Sequence, residues 1–446
     1  MNAFLISHTL EAYQLVSGSS KPADAIMTFY MRGHKHLGAK DRRFISEHVY
    51  AILRFEPTLE KLSNEITAFL QIDPHLAVPL RVLIHFAKLD QATDEELAVL
   101  FQPLLQLSVQ TLLDISHLAR KKKPADEPTI ERLATAYGFT EWMTREFAAS
   151  FGKNELEALL ESLNHEAPLI LRANTLKCTR EEAQQALFAE DIESELGKFS
   201  PFSLIIKKRQ PIFATRAFKS GMVEIQDEGS QLISLLLNPK PQTKVLDACA
   251  GGGGKTLHLA ALMGGRGKVF AYDKFESRFG NIRDRIRRSG AQNIEVIESP
   301  DAFDMFEKKH RGTLDSVLID APCTGSGTLR RNPDMKLRLK QSSLETLPIE
   351  QLQILTRFSS FLKPGGRVVY ATCSLFQKEN ESVVESFLKA NQDFTLLSPS
   401  EAISTIKLSF DSESLAKRFS GDSYMRLSPH KDDTDGFFAA ILQKKT

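Results

Sequence analysis

Val245-Leu246-Asp247-Ala248-Cys249-Ala250-Gly251-Gly252-Gly253-Gly254-Lys255-Thr256 reads as a short strand, a run of glycines and the start of a helix. Four successive glycines let the backbone approach a ligand closely and adopt dihedrals that other residues avoid. The helix start offers N–H groups with no partner inside the helix. Gly254-Lys255-Thr256 matches the end of a GxxxxGK[ST] phosphate loop, but the first glycine of that motif would fall on Cys249. The stretch is therefore a nucleotide-type loop without being a P-loop.

Beyond it, strands and helices alternate. Strands are expected at Val269 to Tyr272, Ile294 to Ile297, Leu314 to Ile319 and Arg367 to Ala371. Helices are expected at Thr256 to Met263, Phe275 to Arg288 and Ile349 to Leu362. This alternation predicts βαβ units and a parallel sheet with helices on both faces. Gly436 to Leu442 would add an edge strand. Asp273 follows the second strand, where a carboxylate can accept from two ribose hydroxyls at once. Asp301 follows the third, within reach of an adenine amine. Acids at successive strand ends, without GxGxxG, favour S-adenosylmethionine over a dinucleotide.

Upstream, Leu169 to Ala173 and Ser203 to Lys207 read as strands, with Arg180 to Ala189 a helix between them. They form a small α+β module ending near Gly221. Residues before about 135 are helical in pattern. Phe44-Ile45, His48-Val49 and Ile52-Leu53 repeat at i, i+4 and i+8, and Ala25-Ile26-Met27 with Phe29-Tyr30 start another stripe. Leu80, Leu83, Ile84 and Ala87 mark a core helix, Trp142 and Phe147 a later one, and Arg120 to Pro124 a charged loop. The expected division is 1–135 helical, 136–221 helical linker and α+β module, and 222–446 Rossmann-like.

A length of 446 residues allows roughly three domains with a sizeable core. The composition is that of a soluble globular protein, and the net charge of +1 requires any polyanion to be met by local basic patches. Four cysteines without a CxxC pair argue against a disulfide framework and a structural zinc site, and no metal is expected. With neither a leader-like N-terminus nor an apolar run of membrane-spanning length, the expectation is a cytoplasmic protein with no membrane partner, acting as a monomer.

Two of the cysteines stand just past strands. Cys323 closes Asp320-Ala321-Pro322-Cys323, and Cys373 lies in Thr372-Cys373-Ser374. Chemistry in open parallel sheets gathers at the carboxyl ends of strands, so two thiols there point to sulfur acting on a bound substrate. Cys249 can equally be a small packing residue of its loop, and Cys178 is incidental.

Asp320 to Gly327, with Tyr370 to Ser374, resembles the RNA cytosine-5 methyltransferase family. The likeness runs through Gln226 to Gln231, Arg330-Arg331-Asn332-Pro333, Asn380-Glu381 and Asp435 to Phe438, and covers roughly residues 140 to 446. Asp41 to Phe44 and Tyr50 to Arg54 are similar, more loosely, to the NusB-like domain before the catalytic unit of bacterial 16S ribosomal RNA methyltransferases of subfamily B. The resemblance implies methyl transfer from S-adenosylmethionine to carbon 5 of a cytosine in RNA, with small-subunit ribosomal RNA as the expected partner.

It also implies roles. Cys373 is the nucleophile that adds to carbon 6, Cys323 assists release, and Asp320 hydrogen-bonds the cytosine edge. Cys249, Ala250, Gly251, Gly252, Gly253, Gly254, Lys255, Asp273, Arg278, Asp301 and Asp320 match the family's S-adenosylmethionine contacts. The chain departs at Gly251 and Gly252, where the family usually has Ala-Pro. For RNA, Arg32, Lys35, Lys40, Arg42, Arg43 and Arg54 make the N-terminal region basic, and Arg330, Arg331, Lys336, Arg338 and Lys340 follow the Pro-Cys loop. Arg283 to Arg288 read as a solvated helix face. Competing readings are a non-catalytic ribosome assembly factor, a transfer RNA methyltransferase, and an amino-group methyltransferase. Ala321-Pro322-Cys323 lacks the stacking aromatic of that last class.

Overall fold

A computed structural model describes residues 2–89, 92–120, 129–406 and 412–446. The chain forms two compact units: residues 1–165 with 329–341, and residues 166–328 with 342–446. The boundaries expected at 135/136 and 221/222 are therefore not where the compact units part.

The first unit is helical. Helix Ala39–Arg54 buries Ile45, Val49, Ile52 and Leu53, an i, i+4, i+7, i+8 stripe that follows the expected face. Helix Ala77–Lys88 is buried along most of its length, and Leu80, Leu83, Ile84 and Ala87 sit in the core. In helix Ala23–Gly33, Met27 and Tyr30 are buried, but Phe29 is 74% exposed, against expectation. It lies on the helix face opposite the core. Helices Ile130–Tyr137, Glu141–Phe151 and Lys153–Ser162 also belong to this unit. Arg120 ends helix Val109–Arg120 rather than opening a loop; Lys121 to Pro124 lie outside the described residues.

Segment 329–341 joins this unit and corrects one expectation. Lys336 is buried: its Nζ donates to Arg54 O (2.6 Å) and Asn164 Oδ1 (2.7 Å) and stands 3.5 Å from the Phe139 ring centroid. Arg330 is buried too, and its carbonyl accepts from Arg54 Nη1 (3.0 Å). Neither side chain is open to a phosphate. Their cationic heads are spent on packing, which a charge count cannot reveal.

The second unit opens with strands β1 (Leu169–Ala173), β2 (Ser194–Leu196), β3 (Ser203–Ile206) and β4 (Val223–Ile225), an antiparallel sheet in the order β2-β3-β1-β4. The α+β module thus runs past Gly221, because β4 pairs β1. The larger sheet comprises β5 (Lys244–Asp247), β6 (Lys268–Tyr272), β7 (Ile294–Ile297), β8 (Leu314–Asp320), β9 (Leu362–Thr372), β10 (Phe394–Leu397), β11 (Met425–Leu427) and β12 (Phe437–Lys444). Its order is β10-β12-β9-β8-β5-β6-β7, with β11 on β12. The five strands β9-β8-β5-β6-β7 are parallel, so all five carboxyl ends share one edge.

Three further expectations need correction. β12 is not an edge strand, since it pairs β9 on one side and β10 on the other, and its all-apolar start suits a two-sided position. The expected helix Ile349 to Leu362 is Ser343–Ser359, tolerating Pro348, and Leu362 begins β9. The expected helix from Phe275 starts as a 3-10 turn, Glu276–Arg278, because Asp273 Oδ1 caps the Phe275 N–H (2.9 Å). Among the described residues, no single helix is long and apolar enough to cross a membrane.

Candidate active site

The glycine loop leaves β5 at Asp247 and enters helix Gly254–Leu262. Gly253 has φ +82°, and a Cβ there would meet Ile282 Cγ1 at 2.5 Å, so only glycine fits between loop and neighbouring helix. Arg172, fully buried, reaches from β1 to donate to Gly254 O (2.8 Å) and also to Gln226, tying the loop to the small module. Burial draws its guanidinium down to about 9, partly offset by Glu224.

Asp273 takes the Gly251 N–H (2.8 Å) and Arg278 Nη1 (2.9 Å) on Oδ2, and the Phe275 N–H on Oδ1. A carboxylate has about four acceptor positions, so Oδ1 keeps capacity for a ribose hydroxyl. Asp301 is exposed in the first turn of helix Pro300–His310, after β7. Arg285 and Arg288 are not a solvated face: both pair with buried Glu224, and Arg285 also donates to Gly252 O (2.5 Å).

Asp247 is buried, takes the Thr256 hydroxyl on Oδ2 (2.7 Å) and leaves Oδ1 without a partner. Burial, partly offset by Thr256, pushes its carboxyl up to about 7 from an ordinary 3.8. A raised folded-state value means that its contribution to stability is full below about pH 4 and is lost as pH rises through about 7. Asp247→Asn, which keeps an oxygen for Thr256, should flatten that fall. Urea midpoints followed from about pH 4 to 8 will read it, and a variant as pH-sensitive as wild type would refute the assignment.

The two thiols meet. β8 and β9 are adjacent and parallel, with Asp320 opposite Ala371, so the loops leaving them run side by side. Cys323 Sγ lies 3.5 Å from Cys373 Sγ. The hydrogen bond to Cys373, then burial, then the charges of Cys373, Glu379 and Asp320, hold Cys323 well above the ordinary thiol value. The two sulfurs are thus in hydrogen-bond contact, and either can be the donor. Lys255 Nζ bonds Asp320 Oδ2 at 2.6 Å and faces the Phe437 ring at 5.7 Å. Burial works against its ammonium, but Asp320 foremost, with Cys373 and Asp247, raises it overall. A lysine expected to serve the cofactor therefore also bonds Asp320. Cys249 is pushed well above the ordinary thiol range by burial and then by Asp247, Asp320 and Asp273, which suits packing rather than reaction. Cys178 packs in the core of the small module.

Glu379 was not anticipated. It is fully buried and accepts from the Thr324 N–H (2.8 Å), from Gln351 Nε2 (3.0 Å), and from the hydroxyls of Thr324 and Ser374. Those hydroxyls belong to the residues directly after the two cysteines. The only trace in sequence is that each cysteine precedes a hydroxyl residue. Gly327 and Gly436 lock the same region: Gly327 N donates to Cys373 O (2.9 Å) and Gly436 N to Gly327 O (2.8 Å). A Cβ on Gly327 would stand 2.2 Å from Gly436 O.

Five parallel strands whose carboxyl ends share one edge, with the glycine loop leaving the central strand β5, have the architecture of a Rossmann-like nucleotide-binding domain. Residues 234–443 match the family model 16S rRNA methyltransferase RsmB/F, and residues 139–213 match the RsmF/B-like ferredoxin-like domain. The probable ribosomal RNA small subunit methyltransferase B of Bacillus subtilis (strain 168) is 33% identical over 72% of this chain and 70% of its own. Its counterpart in Synechocystis sp. is 30% identical over 92% of this chain and 93% of its own. A solved methyltransferase homolog protein from Pyrococcus horikoshii superposes with a TM-score of 0.59, at 26% identity, over 71% of this chain and 99% of that one. The chain belongs to the RsmB/F family and is an RNA (cytosine-5)-methyltransferase.

Proposed function

We propose that the protein methylates carbon 5 of a cytosine in 16S ribosomal RNA through a covalent adduct on Cys373, acting as a cytoplasmic monomer. The juxtaposition of the two sulfurs, 3.5 Å apart at the ends of adjacent strands beside Asp320, carries the reading. The residues of the glycine loop, Asp273, Arg278, Asp301 and Lys255 would hold the cofactor, which supplies an electrophilic methyl group.

The chain's own groups account for the remaining steps. The Cys373 sulfur bonds to carbon 6 of an unpaired or flipped-out cytosine, moving the ring's electron pair toward carbon 5. Asp320, held on one oxygen by Lys255, meets ring nitrogen 3 and the exocyclic amine with the other as charge builds on the ring. After transfer, the proton on carbon 5 passes to solvent, its bonding pair restores the carbon 5–carbon 6 double bond, and the carbon 6–sulfur bond breaks with its pair returning to Cys373. Cys323 stands against the departing sulfur and assists that release. Small-subunit RNA as target is favoured by the relatives' names, and the exposed Arg32, Lys35 and Lys40 of the NusB-like region are the cations we assign to its backbone.

The test is methylation of unmodified 16S, 23S and transfer RNA with labelled cofactor, followed by bisulfite sequencing. One 5-methylcytosine in 16S RNA is expected. Product in transfer RNA alone, or in none of the three, overturns the reading.

A further inference from the structure

Away from the thiols, the first helix of the first unit and the end of the second gather three imidazoles and a carboxylate. His8 and Glu11 lie at i and i+3 of helix Ala3–Ser17. His34 caps the end of helix Ala23–Gly33, and His36 follows two residues on. Ligand atoms of His8, Glu11 and His34 all lie within 4.8 Å of one another. Cysteine spacing, which argued against zinc, is blind to ligands drawn from separate helices.

The ring geometry is that of a shared centre. Three imidazoles on one tetrahedral Zn²⁺, with Zn–N of about 2.0–2.1 Å, place their ring centroids about 5.2 Å apart. Here the His8–His34, His8–His36 and His34–His36 centroids are 5.1, 5.5 and 5.7 Å apart. Glu11 Oε2 joins the group at 3.9 Å from His34 Nε2. Tetrahedral ligand atoms are separated by about 3.3 Å, so closing ligand atoms that lie within 4.8 Å of one another needs shifts of at most about 1.5 Å.

The supporting bonds fit as well. His34 Nδ1 meets Tyr30 O at 2.9 Å, which fixes its proton there and leaves Nε2 with the lone pair toward Glu11. The buried Tyr30 hydroxyl donates to Glu11 Oε2 (2.8 Å) and accepts from His8 Nδ1 (2.5 Å), which leaves the lone pair of His8 on Nε2. Metal-binding histidines and carboxylates ordinarily have such outer partners. Packing alone explains the contact of Phe4 with His8, at 4.6 Å, but not why three imidazoles and an acid converge.

We propose that His8, His34 and Glu11, with the His36 ring beside them, form a binding site for a first-row divalent cation, Zn²⁺ being the natural occupant for imidazole and carboxylate donors. It pins the chain after the second helix to the first helix.

The paired thiols could bind zinc themselves, so the test uses the full chain with both replaced, Cys323→Ser and Cys373→Ser. This protein, freed of metal, is titrated with Zn²⁺ against a chromophoric chelator. One equivalent should bind, and His34→Gln or His8→Gln should each weaken it at least about tenfold. His36→Gln lies on an exposed residue, so its loss of affinity cannot be blamed on unfolding. Co²⁺ loading should give tetrahedral d–d absorption without a thiolate charge-transfer band. Failure to bind one equivalent, or equal affinity in the His8→Gln/His34→Gln double variant, overturns the proposal.

Discussion

Replacing Cys373 with alanine is expected to abolish methyl transfer, lowering the rate by at least about 10³-fold, because the covalent route disappears with its nucleophile. Replacing Cys323 is expected to act differently. Its sulfur lies 3.5 Å from that of Cys373, beside the bond that breaks when the adduct is released. Cys323→Ala should still attack, transfer the methyl group and then stall, leaving RNA bound to protein through denaturing electrophoresis. The double variant should give neither product nor adduct. A trapped complex from Cys373→Ala with none from Cys323→Ala would exchange the roles. Methylation surviving in Cys373→Ala would remove the covalent step. Both changes are small relative to a cysteine's volume at partly buried positions, so cofactor binding should remain and can be measured alongside.

Much of this was legible before any coordinates. The glycine run, Asp273, Asp320 and both cysteines are local features at strand ends, and period-2 and period-3.6 patterns locate strand ends well. The resemblance assigns the thiols separate roles, and the structure places the two sulfurs 3.5 Å apart. What sequence could not show was long-range pairing. β12 is strand-like in isolation, but its place between β9 and β10 depends on a short Phe394–Leu397 strand with little signal of its own. Arg330 and Lys336 follow a catalytic loop and look like phosphate ligands, yet both are buried, Lys336 against Arg54, Asn164 and Phe139. Lys255 and Asp320 were each assigned to the cofactor, and their mutual bond, which links cofactor loop to thiol loop, is a tertiary fact. The His8, Glu11 and His34 cluster combines two helices in the same way.

Glu379 is expected to govern the rate through the thiol loops it holds. Four donors converge on its carboxyl group, two of them hydroxyls from residues adjacent in sequence to Cys323 and Cys373. Its neighbour Asn380 adds a bond from Nδ2 to Ser374 O (2.9 Å) and accepts the Thr372 hydroxyl (2.6 Å). The Tyr370 hydroxyl binds the Glu379 carbonyl at 2.6 Å. Thus one short stretch fixes the loops on both sides of the sulfur pair. Glu379→Ala strands the buried Thr324 N–H and leaves Gln351 Nε2 to Pro322 O and the Thr324 and Ser374 hydroxyls to each other and to Ser326, which should cost about 1–3 kcal/mol of stability. A displacement of about 1 Å at a reacting centre can cost 10²-fold in rate, so kcat should fall by at least about that factor in protein still folded at low temperature. KM for S-adenosylmethionine should change little, because Glu379 bonds none of the loop from Cys249 to Lys255. Glu379→Gln, which retains an oxygen for some of the donors, should recover part of both losses. If stability fell while kcat per folded molecule held, Glu379 would be a structural residue only. A fall in kcat that Gln partly restores, with cofactor KM preserved, makes it the positioning residue of the thiol pair.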